Sequence, residues 1–143
     1  MDVTFISLYA DQIAPFFERG VIKRAIDDAI LDVSYVDLRS YAPLPHRKVD
    51  DYPYSHRQGM LLKADILKQA VDALPSGTTL FLPDPKGPKF DHAVAKSLST
   101  LNKIAFICPA YEGVDERIFD LVDIQRYSLG DFIVPTGDSP AVL

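Results

Sequence analysis

The 143-residue chain is predicted to form an α/β domain in which helices cover both faces of a mostly parallel sheet. Short apolar runs of strand length alternate with stretches in which apolar residues recur at helical spacing. Several strand-like runs are followed by loops rich in Gly and Pro, the residues that allow sharp turns. No internal repeat, low-complexity segment or domain boundary is evident, so residues 1–143 are interpreted as one domain.

The individual elements follow from the same apolar patterns. Strands are predicted at residues 3–7, 33–38, 78–82, 103–107 and 124–127. Helices are predicted at residues 13–20, 21–30, 67–74, 91–98 and 115–122, and their apolar stripes are interpreted as core. Gly20 can end the first helix, and Asp91 and Asp115 can cap the last two. Residues 39–60 are predicted to form a long loop of the kind that is functional or disordered.

The composition excludes several classes of protein. An apolar fraction of 48%, with 8 Phe and 7 Tyr, argues against a disordered chain. No apolar run approaches the roughly 18 residues that a membrane-spanning helix needs, and the amino terminus does not resemble a signal peptide. A single cysteine, Cys108, excludes an internal disulfide and suits a reducing compartment, so a cytoplasmic location is expected.

The charge balance bears on nucleic-acid binding. The net charge of −5 argues against a general nucleic-acid coat, which needs a basic surface. Residues 39–57 nevertheless combine basic and aromatic side chains that can hold phosphates and stack bases. A solvated charged loop is the alternative, since Asp50 and Asp51 lie in the same segment. The basic residues are Arg39, His46, Arg47, Lys48, His56 and Arg57, interleaved with Tyr41, Tyr52 and Tyr54.

Three loops that follow predicted strands suggest a ligand site. They span residues 83–88, 108–113 and 128–137, and each contains Gly and Pro. Loops at the carboxyl ends of parallel strands form the ligand crevice of open α/β sheets, so these three are expected to converge at one end. Such a site would be built mainly from backbone. The alternative is that each loop is only a rigid connection or turn.

No side-chain motif identifies a reaction by itself. The three histidines lack metal-ligand spacing and one cysteine cannot build a thiolate site, so no metal is predicted. Neither a P-loop nor a dinucleotide fingerprint is present. Cys108 ends an apolar strand, which favours a buried inert thiol over a nucleophile. Glu112 and Asp115 are equally consistent with acid–base groups and with residues of a first helical turn.

The order of longer motifs resembles one known family. The motifs are residues 5–8 (Phe-Ile-Ser-Leu), 19–25 (Arg-Gly-Val-Ile-Lys-Arg-Ala), 46–54 with Gly59-Met60, 111–117 (Tyr-Glu-Gly-Val-Asp-Glu-Arg) and 128–132 (Ser-Leu-Gly-Asp-Phe). In this order and at these separations they resemble the bacterial tRNA (guanine-N1)-methyltransferases, the TrmD family of the SPOUT class. The match covers nearly the whole chain.

The resemblance implies a trefoil-knotted α/β fold, a homodimer, and S-adenosylmethionine as cofactor. It implies methyl transfer to N1 of the guanine 3′ of a tRNA anticodon. The implied substrate-binding residues are His46, Arg47, Tyr54 and Arg57, and the helix with Phe16 and Phe17 offers apolar surface either to a dimer interface or to the core. The implied cofactor-binding residues are Pro85, Pro109, Tyr111, Glu112, Gly113, Leu129, Gly130, Asp131, Phe132, Ile133 and Val134.

The chain also departs from the family pattern, so it is interpreted as a divergent member. Residues 55–58 replace a glycine-rich segment, and Pro109-Ala110 stands where the family has Gly-Arg. Thr136-Gly137 replaces a pair of glycines. The family continues past the position of Leu143 through a knot-closing helix, a linker with the catalytic Asp, and a helical tRNA-binding domain.

These departures lead to two expectations for residues 1–143. The first is an amino-terminal cofactor-binding domain that lacks the carboxyl-terminal domain, binds S-adenosylmethionine weakly or not at all, and does not methylate tRNA alone. Glu112, Asp131 and Asp138 are the carboxylates that could replace the missing base. The second is a non-catalytic SPOUT-fold relative that acts as a ligand-binding or RNA-interaction module.

Overall fold

The computed structural model describes residues 1–53 and 59–143, and its centre is a five-stranded parallel sheet. The strands are β1 (Asp2–Ser7), β2 (Asp32–Asp37), β3 (Asp50–Asp51), β4 (Leu61–Leu62), β5 (Thr79–Pro83), β6 (Lys103–Ile107) and β7 (Ile124–Tyr127). The sheet has the strand order β2-β1-β6-β5-β7, and a separate antiparallel pair joins β3 to β4. All five predicted strands are present, displaced by one residue at most.

Helices connect the strands of the sheet, as the alternating pattern predicted. The α-helices are α1 (Ala10–Ile13), α2 (Gly20–Asp27), α3 (Ala64–Asp72), α4 (His92–Leu98), α5 (Ile118–Leu121) and α6 (Asp138–Val142). Two 3-10 helices span Ala14–Phe17 and Leu38–Tyr41. No helix in residues 1–53 or 59–143 is long and apolar enough to cross a membrane.

Each face of the sheet has its own core. Successive side chains of a strand point to opposite faces, so alternate residues of one strand enter different clusters. In β5, Leu80 and Leu82 pack with α3 and α5, whereas Phe81 packs on the other side with residues of α1, α4 and α6. Helices therefore lie on both faces, and the predicted fold class is confirmed.

The described part of the long loop predicted for residues 39–60 contains regular structure. Its beginning forms the second 3-10 helix, and Ala42 and Val49 are buried in the core. Asp50 and Asp51 pair with Leu62 and Leu61 to form the small antiparallel sheet. Short apolar positions separated by prolines gave no periodic signal, which is why this part of the structure was not predicted.

Two predicted helix ends were wrong and one cap was confirmed. Gly20 does not end a helix but is the first residue of α2, with a φ of +67°. The residue before α5 is Arg117 rather than Asp115, whose side chain instead accepts a hydrogen bond from the Arg117 amide at 3.0 Å. The Asp91 side chain caps α4, because it accepts from the Val94 amide at 3.0 Å.

The apolar stripe of α2 does not form core, in contrast to the prediction. None of its residues is buried, and Val21 is 80% exposed. The neighbouring aromatic pair is divided: Phe17 packs on Phe5 with ring centroids 5.3 Å apart, while Phe16 is 58% exposed. Helical periodicity located α2 correctly but did not show what covers its apolar face.

Candidate functional site

A cleft of about 370 Å³ lies at the carboxyl ends of β5, β6 and β7. The three Gly- and Pro-containing loops converge there, as predicted from their positions after parallel strands. The cleft is large enough for a small organic ligand. Its lining consists of residues 82–86, 109–114, 116, 127–130, 132–137 and 140.

Close backbone packing holds the loops together at two glycines. A Cβ added to Gly137 would lie 2.1 Å from Cδ of Pro109, and one added to Gly87 would lie 2.5 Å from the amide nitrogen of Tyr127. The Gly137 amide also donates to the Pro109 carbonyl at 2.7 Å. Only a residue without a side chain permits these approaches, so the glycines are needed for packing.

The Pro109-Ala110 departure is accommodated by the same packing. Pro109 contributes its ring and its carbonyl to the contact with Gly137, and Ala110 is buried in the core beside β6. Neither residue presents a charged or amide donor side chain to the cleft. The loop after β6 therefore keeps its place without the Gly-Arg pair of the family.

The turn after β6 is held in an unusual backbone conformation. Tyr111 has a φ of +58°, which is uncommon for a residue with a side chain, and Gly113 has a φ of +114°. Main-chain bonds fix this turn to the segment before α3: the Glu112 amide donates to Met60 at 3.0 Å, and the Leu62 amide donates to Gly113 at 2.9 Å. A constrained Tyr in a cleft is typical of functional sites.

Gly59 lets the end of the long loop lie against this turn. A Cβ at Gly59 would lie 2.2 Å from Cγ of Glu112, and Gly59 has a φ of +113°. The Glu112 side chain consequently lies between the turn after β6 and the chain that leads into β4. This contact places a carboxylate in the lining of the cleft.

A network of four charges joins β5, β7 and the segment before α5. Arg126 pairs with Glu116, lies 3.5 Å from the Asp84 carboxylate, and places its guanidinium 3.7 Å from the centroid of the Phe119 ring. Lys86 donates to the other oxygen of Glu116 at 2.8 Å. The hydrogen bond from Lys86, with that from Arg126, holds the pKa of Glu116 below its usual value, although burial acts in the opposite direction.

A second ion pair lies beside that network. Arg117 donates from Nε to the carboxylate of Asp115 at 3.0 Å. This hydrogen bond is the main reason why the pKa of Asp115 is lowered, against the opposing effect of burial. Asp115 is thus an ionised partner of Arg117 in the turn before α5, which favours the structural interpretation of this residue over the acid–base one.

Cys108 and Asp138 lie beneath the cleft rather than in it. Both are buried, and neither is among the cleft-lining residues. Burial, together with the neighbouring Asp138, raises the pKa of the Cys108 thiol far above its usual value, so the thiol stays protonated. The interpretation of Cys108 as an inert buried thiol is favoured by this environment.

Most of the implied cofactor-binding residues are brought together by the fold. All of them line the cleft except Asp131, which is exposed on its loop. Of the three carboxylates considered as a replacement base, Glu112 lines the cleft, whereas Asp131 and Asp138 do not. The three predicted loops thus meet at one cleft, but the side chains of Asp131 and Asp138 do not line it.

The implied substrate-binding residues are not brought to the cleft by the described structure. His46 and Arg47 are exposed on the long loop and are absent from the cleft lining. Tyr54 and Arg57 fall outside the described residues. Substrate contact by these four residues stays a prediction.

Several residues of the cleft were not found from the sequence. Glu116 lines the cleft and pairs with Arg126, which lies outside the lining; both are distant from Asp84 in sequence, so no local pattern indicated their charge network. Tyr127 and Pro140 meet through a hydrogen bond from the Tyr127 hydroxyl to the Pro140 carbonyl at 3.0 Å.

Among residues 1–53 and 59–143, no group of three or more His, Cys, Asp or Glu side chains could hold a metal ion.

Comparison with known proteins identifies the family. The model of the family described as "tRNA (Guanine-1)-methyltransferase TrmD" matches residues 1–143. Relatives named tRNA (guanine-N(1)-)-methyltransferase are similar over the full chain: 37% identical in Mycoplasmopsis agalactiae, 38% in Borreliella burgdorferi and 40% in Lacticaseibacillus paracasei. The matches cover 63%, 60% and 57% of those relatives, so the chain spans about 60% of their length. The chain belongs to the tRNA (guanine-1)-methyltransferase TrmD family.

Proposed function

We propose that the cleft binds S-adenosylmethionine and that the chain forms the cofactor-binding part of a tRNA (guanine-N1)-methyltransferase. The observation that carries the proposal is the convergence of residues 82–86, 109–114 and 127–137 on one cleft, in a chain of the TrmD family. Because its relatives are named as methyltransferases, we favour this function over a non-catalytic ligand-binding or RNA-interaction module.

The chemistry of the cleft suits such a cofactor. Apolar side chains such as Leu82, Leu129 and Val134 can cover a purine ring, and the surrounding loops offer main-chain groups that can recognise its edge. Glu112 contributes negative charge to the lining, which favours a cationic sulfonium. When bound, the cofactor supplies an electrophilic methyl group.

Transfer to guanine makes two demands on the protein. The N1 atom must be held in line with the methyl carbon at near-attack distance, and a base must take the N1 proton. Of Glu112, Asp131 and Asp138, Glu112 is the carboxylate that lines the cleft, so it is the one that could take the N1 proton of a guanine bound there. The basic and aromatic residues 39–57 are proposed to contact the tRNA, with His46 and Arg47 exposed for this role.

Assembly and location are proposed from exposed apolar residues and from the family. The exposed apolar residues Phe16, Val21 and Ile22 lie near one another in sequence, and an apolar surface of this kind suits a homodimer interface. The knotted SPOUT architecture and a cytoplasmic location are proposed from the family. Sedimentation that gives only a monomer near 16 kDa at micromolar concentration would contradict the homodimer.

Calorimetric titration of the chain with S-adenosylmethionine tests the proposal. We expect weak binding, with a dissociation constant between about 1 µM and 1 mM, or about −8 to −4 kcal/mol. Val134→Trp should abolish it by filling the cleft, whereas the control change Ala93→Trp at an exposed position of α4 should not. No heat at millimolar cofactor from a chain that is folded by near-ultraviolet circular dichroism would contradict the proposal.

A transfer assay tests the substrate. The chain is incubated with labelled cofactor and an unmodified tRNA that carries guanine 3′ of the anticodon, with the adenine-substituted tRNA as control. We expect no transfer from residues 1–143 alone. Label on N1 of guanine, and none in the control, would overturn that expectation while supporting guanine as the substrate. Label on another atom or equally on the control tRNA would contradict it.

A further inference from the structure

A buried carboxylate lies under the cleft in a position that no proposed reaction step uses. Asp138 is 6% exposed, and its Oδ1 atom accepts a hydrogen bond of 2.5 Å from the hydroxyl of Ser7, which is 1% exposed. Ser7 is the last residue of β1 and Asp138 is the first residue of α6, 131 positions away. This bond therefore joins the two ends of the described chain inside the protein.

A neighbouring amide determines which atom donates in the hydrogen bond between Ser7 and Asp138. The Tyr9 amide donates to Ser7 Oγ at 2.8 Å, so the hydroxyl oxygen is already engaged as an acceptor and its hydrogen is free to point at Asp138. The buried Cys108 thiol lies nearby: its Sγ donates to the Phe106 carbonyl at 3.9 Å, and Asp138, together with burial, raises its pKa. Asp138 thus accepts from the uncharged Ser7 hydroxyl, and among the described residues no cation pairs with it.

The neighbours of Asp138 belong to the cleft. Gly137 and Pro140 both line it, although Asp138 itself does not. The Gly137 amide bonds to the Pro109 carbonyl at 2.7 Å, and the Pro140 carbonyl accepts from the Tyr127 hydroxyl at 3.0 Å. The start of α6 is therefore tied to the ends of β6 and β7 by main-chain groups, and to β1 by the side chain of Asp138.

We propose that Asp138 is a positioning residue, whose bond to Ser7 holds the loop of residues 128–137 in the arrangement that binds the cofactor. This inference rests on the proposed function of the cleft. A buried acceptor that loses its donor, or a donor that loses its acceptor, must find another partner or water. The nearest element free to move is the irregular loop, because β1 is held between β2 and β6.

The experiment uses variants of both partners and two readouts. Ser7→Ala removes the donor, Asp138→Ala removes the acceptor, and Asp138→Asn keeps a carbonyl oxygen that can still accept from Ser7. Thr4→Val is the matched control, because it removes a hydroxyl of the same strand, that of the buried Thr4, which lies 2.9 Å from the exposed Ser34 hydroxyl. Hydrogen exchange of the Gly137 and Ala141 amides reports the position of the loop without cofactor, and calorimetry reports cofactor affinity.

The exchange measurement decides whether the bond positions the loop. We expect the Gly137 and Ala141 amides to exchange roughly 10-fold faster or more in Ser7→Ala and Asp138→Ala, while the Leu67 amide of α3 keeps its protection. Asp138→Asn should stay within about 3-fold of the wild type, since its carbonyl replaces the lost acceptor. Unchanged exchange at Gly137 and Ala141, an equal change in Thr4→Val, or an Asn variant as fast as the Ala variant would each overturn the proposal.

The affinity measurement decides whether the position matters for the cofactor. We expect Ser7→Ala and Asp138→Ala each to weaken binding roughly 10-fold, and the double variant to be no weaker than either one, because both remove the same bond. Wild-type affinity in both single variants would overturn the proposal while leaving the proposed function intact. If the wild type itself binds no cofactor, the proposed function fails. The role of the Ser7–Asp138 bond is then decided by exchange alone: faster exchange of the Gly137 amide in Ser7→Ala and Asp138→Ala supports it, and unchanged exchange overturns it.

Discussion

The cleft end of the sheet and the outer edge at α2 and β2 are built on different principles. At the cleft, three irregular loops are joined by main-chain hydrogen bonds and by glycine contacts such as that of Gly137 with Pro109. At the outer edge, regular secondary structure carries an apolar stripe that no described residue buries, with Val21 80% exposed. The irregular region is the more constrained of the two.

This difference shows that regularity and constraint are separate properties. A helix satisfies its own backbone groups, so its regular hydrogen bonding does not show that its side chains are packed, and no residue of α2 is buried. A loop has no internal ladder, so a loop that keeps one conformation needs partners from other parts of the chain. Substitutions should accordingly be more damaging in the loops of the cleft than on α2.

The largest effect is expected for Gly137→Ala. The new Cβ would lie 2.1 Å from the Pro109 ring, and since Gly137 has an ordinary φ of −76°, the clash alone decides the outcome. We expect a loss of about 3 kcal/mol of unfolding free energy from this overpacking. Chemical denaturation measures it.

Gly20→Ala on the outer edge is the matched control. Its Cβ would meet nothing within 4 Å, and only the φ of +67° opposes it, at a cost of about 1 kcal/mol. Equal losses in the two variants would contradict the claim that loop packing, rather than backbone strain, constrains the cleft.

A smaller effect is expected for Arg126→Gln. The change leaves Asp84 and Glu116 without their shared cation and removes the guanidinium from the Phe119 ring. Because Arg126 is only partly exposed, we expect a loss of about 1–2 kcal/mol. Lys23→Gln breaks the exposed Lys23–Asp27 pair of α2 and should cost about 0.3–0.5 kcal/mol. Denaturation curves in which Lys23→Gln loses as much as Arg126→Gln would contradict the comparison.

The acid sensitivity of the protein should arise partly from the cleft. The pKa values of Glu116 and Asp115 are lowered in the folded protein, chiefly by the hydrogen bonds from Lys86 and Arg117. Their contribution to stability is therefore present above the unfolded pKa values of about 4 and is lost as the pH falls through the folded values. Lys86→Met should flatten the decline in stability below about pH 4.5, measured by denaturation at several pH values.

The same series on Lys23→Met provides the control for that prediction, since this change leaves the cleft charges in place. A decline of equal steepness in the wild type and Lys86→Met would show that Glu116 gains nothing from Lys86. The effect is expected to be modest because both partners are largely exposed.

The smallest effect is expected on the outer edge itself. Val21→Ser removes an apolar side chain that is almost fully exposed, so the free energy of unfolding should change by no more than about 0.5 kcal/mol. Thermal unfolding at low protein concentration measures this. A loss above 1 kcal/mol that grows with protein concentration would indicate that α2 is covered in an oligomer.

The sequence predicted the sheet well because its signals are local. Each strand is a short apolar run, and the loops after β5, β6 and β7 carry Gly and Pro, so the position of the cleft followed from the topology rule for parallel strands. Asp91 was predicted as a cap because an N-cap residue acts within three positions of itself.

The features that the sequence did not predict are contacts between residues that are far apart along the chain. The Arg126–Asp84–Glu116 network, the Gly137–Pro109 contact and the Ser7–Asp138 bond each join residues from different elements. Asp138 was considered a candidate base because it directly follows the loop of residues 128–137. Its burial and its hydrogen bond to Ser7 depend on the tertiary structure and could not be seen in the sequence. The exposure of α2 was missed for the same reason, since periodicity shows an apolar face but not its partner.

Backbone amide chemical shifts during titration with S-adenosylmethionine test the central claim most directly, because they locate even weak binding. The cleft predicts saturable shifts concentrated in residues 82–87, 109–114 and 128–137, with the amides of α2 and β2 unchanged. Shifts concentrated on α2 and β2, or none at millimolar cofactor, would contradict the assignment of the cleft as the cofactor site.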